Sequence, residues 1–310
     1  MAVILVTGAT GTIGGKVLDI LAARGQRVRA VTRDPRKLPT RPGVEAVRAD
    51  FDEPASLRQA VATVQAMFLL TVLASPTPRH DLAVLDAARS AGVRRVVKLS
   101  AIGTGEKIGP DVVGAWHLVA ERAVRDSGMG WTVLRPSSFA SNTLQWVDAI
   151  GKGQPVPDLT GAGRQGVVDP YDVAAVAVEA LLSPAHVGKI YTLTGPGLLT
   201  VAEQADCLSR VTGRRVDTVA VSLEQAADQM LAAGMDRSTV EVIITGSAWA
   251  RAGHNAVLTD DVAAILNRPA TSFQSWAYRH AVPSAPAGPP RRPQPDPRRR
   301  RWPSLGWLRH

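Results

Sequence analysis

A single cysteine, Cys207, stands in a chain of 310 residues, so no intrachain disulfide can form. That usage fits a reducing cytoplasm. Cys207 lies in an apolar helical pattern and reads as a packed thiol rather than a nucleophile. Apolar runs are short, and none reaches the roughly eighteen residues of a membrane span. The first apolar run, Val3 to Val6, lacks the basic flank of a secretion signal and is needed as a strand. The histidines at 80, 117, 186, 254, 280 and 310 show no metal-ligand spacing, so no metal is implied. No G-x-S-x-G elbow and no G-x-x-x-x-G-K-[ST] loop occurs, which excludes the serine-hydrolase turn and the P-loop. Tyr-x-x-x-Lys is missing as well: the three tyrosines are Tyr171, Tyr191 and Tyr278.

Positive charge is plentiful but uneven. The net charge is +9, and residues 283–310 carry seven arginines against Asp296, which is +6 of that total. The same tail holds eight prolines. Such a composition cannot bury enough apolar surface to fold, so a disordered tail is expected. A solvated tail without a partner is one reading. Contact with nucleic acid or an anionic surface is the other, with Trp302 and Trp307 beside the arginines. The remaining 282 residues, only mildly basic in a chain that is 45% hydrophobic, suffice for one or two domains.

Strand and helix signals alternate through the first half. Strands are expected at Val3–Thr7, Arg27–Thr32, Val44–Arg48, Ala66–Leu70, Val96–Leu99 and Thr132–Leu134, with helices at Ile13–Arg24, Leu82–Ala91 and Leu118–Ser127. Alternating βα units imply a doubly wound parallel sheet, the α/β Rossmann class, with helices on both faces. After Pro136 the pattern loosens. A helix from about Ala140 to Ile150, a Gly/Pro loop from Gly151 to Gly166, a helix at Asp172–Leu182, a strand at Lys189–Leu193 and a capped helix at Thr200–Thr212 are expected, followed by helix-rich residues 223–280. The reading is a dinucleotide-binding core over 1–136, a smaller helix-rich substrate-facing part over 137–282 that is not a separate folding unit, and the tail.

The chemistry begins at the first turn. Val3-Ile4-Leu5-Val6 meets Thr7-Gly8-Ala9-Thr10-Gly11-Thr12-Ile13-Gly14, and a helical stripe of Ile13, Val17, Ile20 and Leu21 follows. Gly8 allows a sharp turn off the strand, Gly11 a close backbone approach to a pyrophosphate, and Gly14 tight packing of the helix. The free N–H groups and positive end of that helix then face the phosphates. Strand, glycine turn and helix in this order point to a nucleotide diphosphate, a nicotinamide dinucleotide before others, with a glycine-rich turn that binds no ligand as the alternative. The second strand ends Val31-Thr32-Arg33-Asp34. An arginine there pairs with a 2′-phosphate through charged hydrogen bonds, so NADP(H) is expected over NAD(H). Asp34 as a ribose ligand is the alternative. Asp50 and Phe51, ending the third strand, read either as an adenine pocket or as a turn cap and a core residue.

These segments, with Val97-Lys-Leu-Ser-Ala-Ile-Gly103, Trp131-Thr-Val-Leu-Arg-Pro136, Val168-Asp-Pro-Tyr-Asp-Val-Ala174 and Ile190-Tyr-Thr-Leu-Thr-Gly195, resemble the NmrA-like family of atypical short-chain dehydrogenase/reductases. The resemblance covers about residues 2–280. It implies a Rossmann domain with a small C-terminal substrate part, and either NADPH-dependent reduction of quinones and azo compounds or NADP sensing without turnover. Position by position, it places Gly8, Thr10, Gly11, Thr12, Ile13 and Gly14 at the pyrophosphate, Arg33 at the 2′-phosphate, and Asp50 and Phe51 at adenine. Leu70 and Thr71 fall beside the nicotinamide ribose, and Pro136, Ser137 and Phe139 beside the nicotinamide. Ser100 sits where the family's serine would.

Trp116 takes roughly the tyrosine position, with Ala120 four residues later, so the ordinary tyrosine acid–base chemistry is in doubt. That leaves Trp116, His117 and Glu121. His117 and Glu121 share a helix face and can pair, either structurally or to donate a proton to a quinone-like acceptor. Three functions follow as expectations. The first is a cytoplasmic NADPH-dependent reductase of small planar acceptors, with His117 and Ser100 catalytic and Trp116, Phe139 and Ser137 lining the pocket. The second is a non-catalytic NADP sensor with a protein partner. The third is a nucleic-acid-associated protein acting through its tail.

Overall fold

The computed structural model describes residues 2–71 and 76–281. The tail expected to be disordered lies outside the described residues. In chain order the elements are β1 (Val3–Val6), α1 (Thr12–Ala23), β2 (Arg27–Thr32), β3 (Val44–Arg48), α2 (Pro54–Val61), β4 (Val64–Leu69), α3 (Arg79–Ser90) and β5 (Arg95–Leu99). A short hairpin of β6 (Lys107–Ile108) and β7 (Asp111–Val112) precedes α4 (Ala115–Arg125) and β8 (Gly130–Pro136). Beyond these come α5 (Val147–Gly151), β9 (Val156–Asp158), α6 (Pro170–Leu182), β10 (Lys189–Leu193), α7 (Val201–Thr212) and β11 (Thr218–Ala220). Four helices close the described chain: α8 (Leu223–Ala232), α9 (Arg237–Arg251), α10 (Asp261–Leu266) and α11 (Phe273–Ala281).

The main sheet has seven parallel strands in the order β10-β8-β5-β4-β1-β2-β3. This is the doubly wound order, and its direction reverses between β1 and β4, where ligands bind beyond the strands' carboxyl ends. Strand composition follows from burial on both faces. Ile4 and Val6 of β1 join the apolar layer under α1 and α6, while Leu5 joins the opposite layer with α2 and α3. The alternation of side chains across a strand puts successive residues into different cores, so all of them are apolar.

Elements from both sides of residue 136 build this core. Strand β10 pairs with β8, and α6 packs its buried stripe of Val173, Val176 and Ala177 on α1. Asp169 caps α6 and also receives Arg279 from α11, while the fully buried Asp172 accepts from Arg268 at 2.6 Å and from the Thr271 N–H at 2.6 Å. The segment Val168–Ala174 thus fastens the C-terminal helices to the sheet layer. A third cluster of Trp146, Phe273, Trp276 and Leu208 fills the space between α7 and α11. The capping box expected at Thr200 and Glu203 is present at the start of α7. The helix expected over about Ala140–Ile150 is a 3-10 segment, Ala140–Trp146, running into α5. No described helix is long and apolar enough to cross a membrane.

Candidate active site

The loop after β1 is shaped by contacts that no side chain can share. Gly8 has a φ of +63°, and a Cβ there would meet Leu70 at 3.1 Å. A Cβ on Gly14 would lie 2.1 Å from the Gly8 carbonyl oxygen, which is an overlap rather than a contact. Thr7 locks this loop to the end of β4: its hydroxyl lies 3.0 Å from the Leu70 carbonyl and accepts the Leu70 N–H at 2.7 Å. Leu70 is thereby fixed against the glycine turn. Thr10, Gly11 and Thr12 are exposed at the tip, while Ile13 and Gly14 are buried beneath it. Gly11 is the N-cap of α1; no side chain caps the helix and no acidic residue stands in its first turn. An uncapped, acid-free helix start at the switch point is a cradle for a diphosphate. The residues present fit a dinucleotide.

At the ribose end the two neighbours Arg33 and Asp34 part ways. Asp34 caps a 3-10 turn through the Arg36 N–H and holds the Arg36 side chain by two bonds, 2.9 and 3.1 Å. The Arg36 guanidinium lowers the Asp34 pKa below its ordinary value. Arg33 is exposed and makes no hydrogen bond or ion pair among the described residues. The carboxylate that would serve a ribose is occupied, and the guanidinium that would serve a 2′-phosphate is free. Asp50 accepts the Asp52 N–H at 3.1 Å as a turn cap. Phe51 is half-buried against the α2–α3 core, with its ring 5.7 Å from that of His80.

A buried ion pair lies near the carboxyl end of β5. Lys98 is fully buried between Val97 and Leu99 of β5, 3.0 Å from the fully buried Asp81 of α3. Lys98 donates to the Leu99 carbonyl at 2.6 Å, and Thr71 donates to Asp81 at 2.7 Å. Thr71, expected to lie beside the ribose, has its hydroxyl committed to this buried pair. Lys98 Nζ also lies 5.8 Å from the centre of the Trp116 ring. The only sequence signal for this cluster was a lysine inside a strand buried on both faces.

His117 and Glu121 do not pair, contrary to the sequence expectation. Glu121, fully buried, accepts from Ser100 at 2.6 Å, from Arg125 at 3.0 Å and from Arg135 at 2.9 and 2.7 Å. Two arginines and a serine saturate the carboxylate and outcompete the imidazole. Ser100 therefore sits in a network with Glu121 and Thr104. His117 stacks on Trp116 with ring centres 3.5 Å apart. Burial, together with Lys98 and Arg135, pushes its pKa well below 6.5, so the ring is neutral at neutral pH. Its Nδ1, like the Trp116 Nε1, is buried without a hydrogen-bond partner among the described residues.

Beside this tryptophan a pocket of about 280 Å³ opens between the start of α4, the β6–β7 hairpin and α9. Trp116 lines it, and α9 contributes Glu241, Val242 and Thr245, which the sequence had not singled out. Phe139 lies nearer the sheet core, its backbone bridged to Val168. Ser137 is buried and donates to Asn255 at 3.0 Å, which in turn donates to Gln165. Pro136, closing β8, is buried, and its carbonyl accepts the Ile102 N–H. Neither Phe139 nor Ser137 lines the Trp116 pocket. Among the described residues no cluster of His, Cys, Asp or Glu can hold a metal.

A family model described as NAD(P)H-binding matches residues 8–184. The chain is 39% identical over 284 residues to the (4-alkanoyl-5-oxo-2,5-dihydrofuran-3-yl)methyl phosphate reductase of Streptomyces griseus subsp. griseus, covering 91% of this chain and 99% of that one. It is 36% identical to the NAD(P)H azoreductase of Xenophilus azovorans, over 90% of this chain and 98% of the other. Among solved structures, the Citrobacter sp. triphenylmethane reductase complexed with NADP(H) superposes with a TM-score of 0.78 at 25% identity, covering 91% of this chain and 100% of that one. The glycine cradle, the strand order and these relationships agree: the chain belongs to the NAD(P)H-binding family of NmrA-like, atypical short-chain dehydrogenase/reductases.

Proposed function

We propose that the chain is an NADP(H)-preferring oxidoreductase that reduces a small planar acceptor, such as a quinone, against Trp116. The observation that carries the reading is the uncapped start of α1 at Gly11, closed underneath by Gly14 on Gly8. The relatives support it: one is an NAD(P)H azoreductase, and a solved neighbour is a triphenylmethane reductase complexed with NADP(H). Unpaired Arg33, next to an Asp34 already spent on Arg36, supports NADP(H) over NAD(H).

The cofactor, when bound, supplies hydride transfer; the protein supplies orientation and surroundings. The N–H groups of Thr12, Ile13 and Gly14 and the positive helix end hold the diphosphate. Arg33 holds the 2′-phosphate, and Leu70 and Pro136 bound the nicotinamide end. Trp116 forms the wall that orients the acceptor. His117, neutral and stacked beneath it, acts as a positioning residue for that ring. Ser100 donates its hydroxyl hydrogen bond to Glu121, so that proton is already engaged and is not offered to the acceptor. An acceptor that needs a proton draws it from water entering the open pocket.

The test is a panel of quinones, azo dyes and aldehydes offered with NADPH and with NADH. The reading predicts oxidation of NADPH by at least one planar acceptor, with NADH the poorer donor. Tight NADPH binding without oxidation by any of them would leave the non-catalytic sensor in its place.

A further inference from the structure

Trp116 stands near the start of α4, on a backbone fixed without help from its own side chain. Gly114, which precedes the helix, has a φ of +58°, and a Cβ there would meet the Thr104 hydroxyl at 2.8 Å. The Gly114 carbonyl accepts the Leu118 N–H at 2.9 Å. What remains to be fixed is the indole itself. Its Nε1 is buried and makes no hydrogen bond among the described residues, so no directional bond sets the angle of the ring. Two contacts with the ring face do so instead. His117 stacks on it with an interplanar angle of 27°, and Lys98 Nζ lies 5.8 Å from the ring centre. His117 is carried by the same helix, so of these two contacts Lys98 is the one that ties the indole to the sheet.

Lys98 is itself a fixed point. Its side chain is fully buried, 3.0 Å from the fully buried Asp81, and it donates to the Leu99 carbonyl at 2.6 Å. Asp81 is held in turn by the Thr71 hydroxyl at 2.7 Å. The series Thr71, Asp81, Lys98, Trp116 joins the ends of β4 and β5 to the starts of α3 and α4. It lies at the carboxyl edge of the strands, where doubly wound sheets bind their ligands. Against an apolar pair of the same volume a buried ion pair gains little stability, since desolvating two charges offsets most of their attraction. An apolar pair cannot, however, draw on the electron-rich face of an indole as a desolvated cation does. The charge of Lys98 therefore has a use that stability alone does not account for.

We propose that Lys98, set by Asp81, is a positioning residue that holds the Trp116 indole at the angle the acceptor needs. The kinetic consequence rests on the reductase reading; the restraint on the indole does not. Hydride transfer requires the acceptor carbon at a defined distance and angle to the donor, and a wall free to turn loses that alignment. Loss of a desolvated cation–π contact is expected to lower the acceptor kcat/KM by roughly tenfold. NADPH affinity is expected to stay near its wild-type value, because the glycine cradle is untouched.

The test is a double-mutant cycle between the ion pair and the indole. Lys98→Met/Asp81→Asn removes both charges together, which spares the fold a lone buried charge and keeps an oxygen for the Thr71 hydroxyl. With NADPH as donor, kcat/KM for menadione is measured in the wild type, in this pair variant, in Trp116→Leu and in the combination of all three substitutions. Neutralising the pair is expected to cost roughly tenfold with Trp116 present and less than about twofold with Trp116→Leu. A merely structural pair costs the same factor in both backgrounds, so equal factors, or no loss at all, overturn the proposal. A second readout needs no turnover and decides wherever Trp116→Leu is too slow to measure. The emission of Trp116 is the difference between each protein and its Trp116→Leu counterpart. Acrylamide quenching of that difference is expected to steepen severalfold when the pair is neutralised. If neither menadione nor any other acceptor of the panel oxidises NADPH, yet the quenching steepens, the reductase reading fails and the positioning stands. Unchanged quenching overturns the positioning itself.

Discussion

A Cβ on Gly14 would stand 2.1 Å from the Gly8 carbonyl oxygen, so the first turn of α1 and the end of β1 share a space that only two glycines can occupy. Substituting Gly14→Ala must therefore displace one of the two backbones, and Gly8→Ala adds a side chain where φ is +63°. Both variants are expected to lose NADPH binding by well over tenfold in a fluorescence titration. Retention of wild-type affinity by Gly14→Ala is the contrary result.

Arg33 and Asp34 separate cofactor choice into two measurements. With Arg33 proposed to hold the 2′-phosphate, Arg33→Ala is expected to cost about 1.5–3 kcal/mol, a roughly tenfold to hundredfold loss of NADPH affinity. NADH, lacking the 2′-phosphate, is expected to change less than threefold. Parallel losses for the two cofactors would place Arg33 on adenine or on the shared diphosphate instead.

The Lys98–Asp81 pair is a stability feature beneath the site. Lys98→Met leaves Asp81 buried without its cation and is expected to cost about 3–5 kcal/mol in urea unfolding. Replacing both partners with apolar residues is expected to recover most of that loss. A single substitution costing less than about 1 kcal/mol would mean that the pair is hydrated in solution.

His117 links the site to pH. Its folded pKa lies below 6.5, so the fold binds the neutral ring and the unfolded chain binds the proton more readily. The stability contribution is complete above 6.5 and is lost as pH falls from there toward the depressed folded value. Unfolding midpoints of the wild type and His117→Asn, compared from about pH 8 to about pH 5, are expected to converge as the pH drops. A constant gap between the two would contradict a neutral buried ring.

The parts legible in the sequence were those written in local pattern. The β2, β3 and β10 boundaries follow from short segments rich in Val, Ile, Thr and Tyr between turn signals, and the α7 capping box from Thr200 and Glu203 three residues apart. The glycine loop was readable because strand, turn and helix are contiguous. What escaped depends on residues far apart in the chain. Glu121 chooses Ser100, Arg125 and Arg135 over His117, and Arg135 arrives from β8, fourteen residues later. Helical spacing permitted the His117 pair; three competing donors decided against it. Glu241 reaches the Trp116 pocket from α9, and no local signal connects the two. Lys98 was visible as a charge in a buried strand, but its partner Asp81 was not.

With the diphosphate in the Gly8–Gly14 cradle, direct hydride delivery from the reduced nicotinamide to an acceptor at Trp116 is the step proposed here. NADPH carrying deuterium on one face of C4 tests it most directly, with the reduced product of a carbon-centred planar acceptor analysed by mass spectrometry. One deuterium is expected in the product from one cofactor face and none from the other. Oxidation of the cofactor without deuterium in the product, or no oxidation despite tight binding, would contradict it.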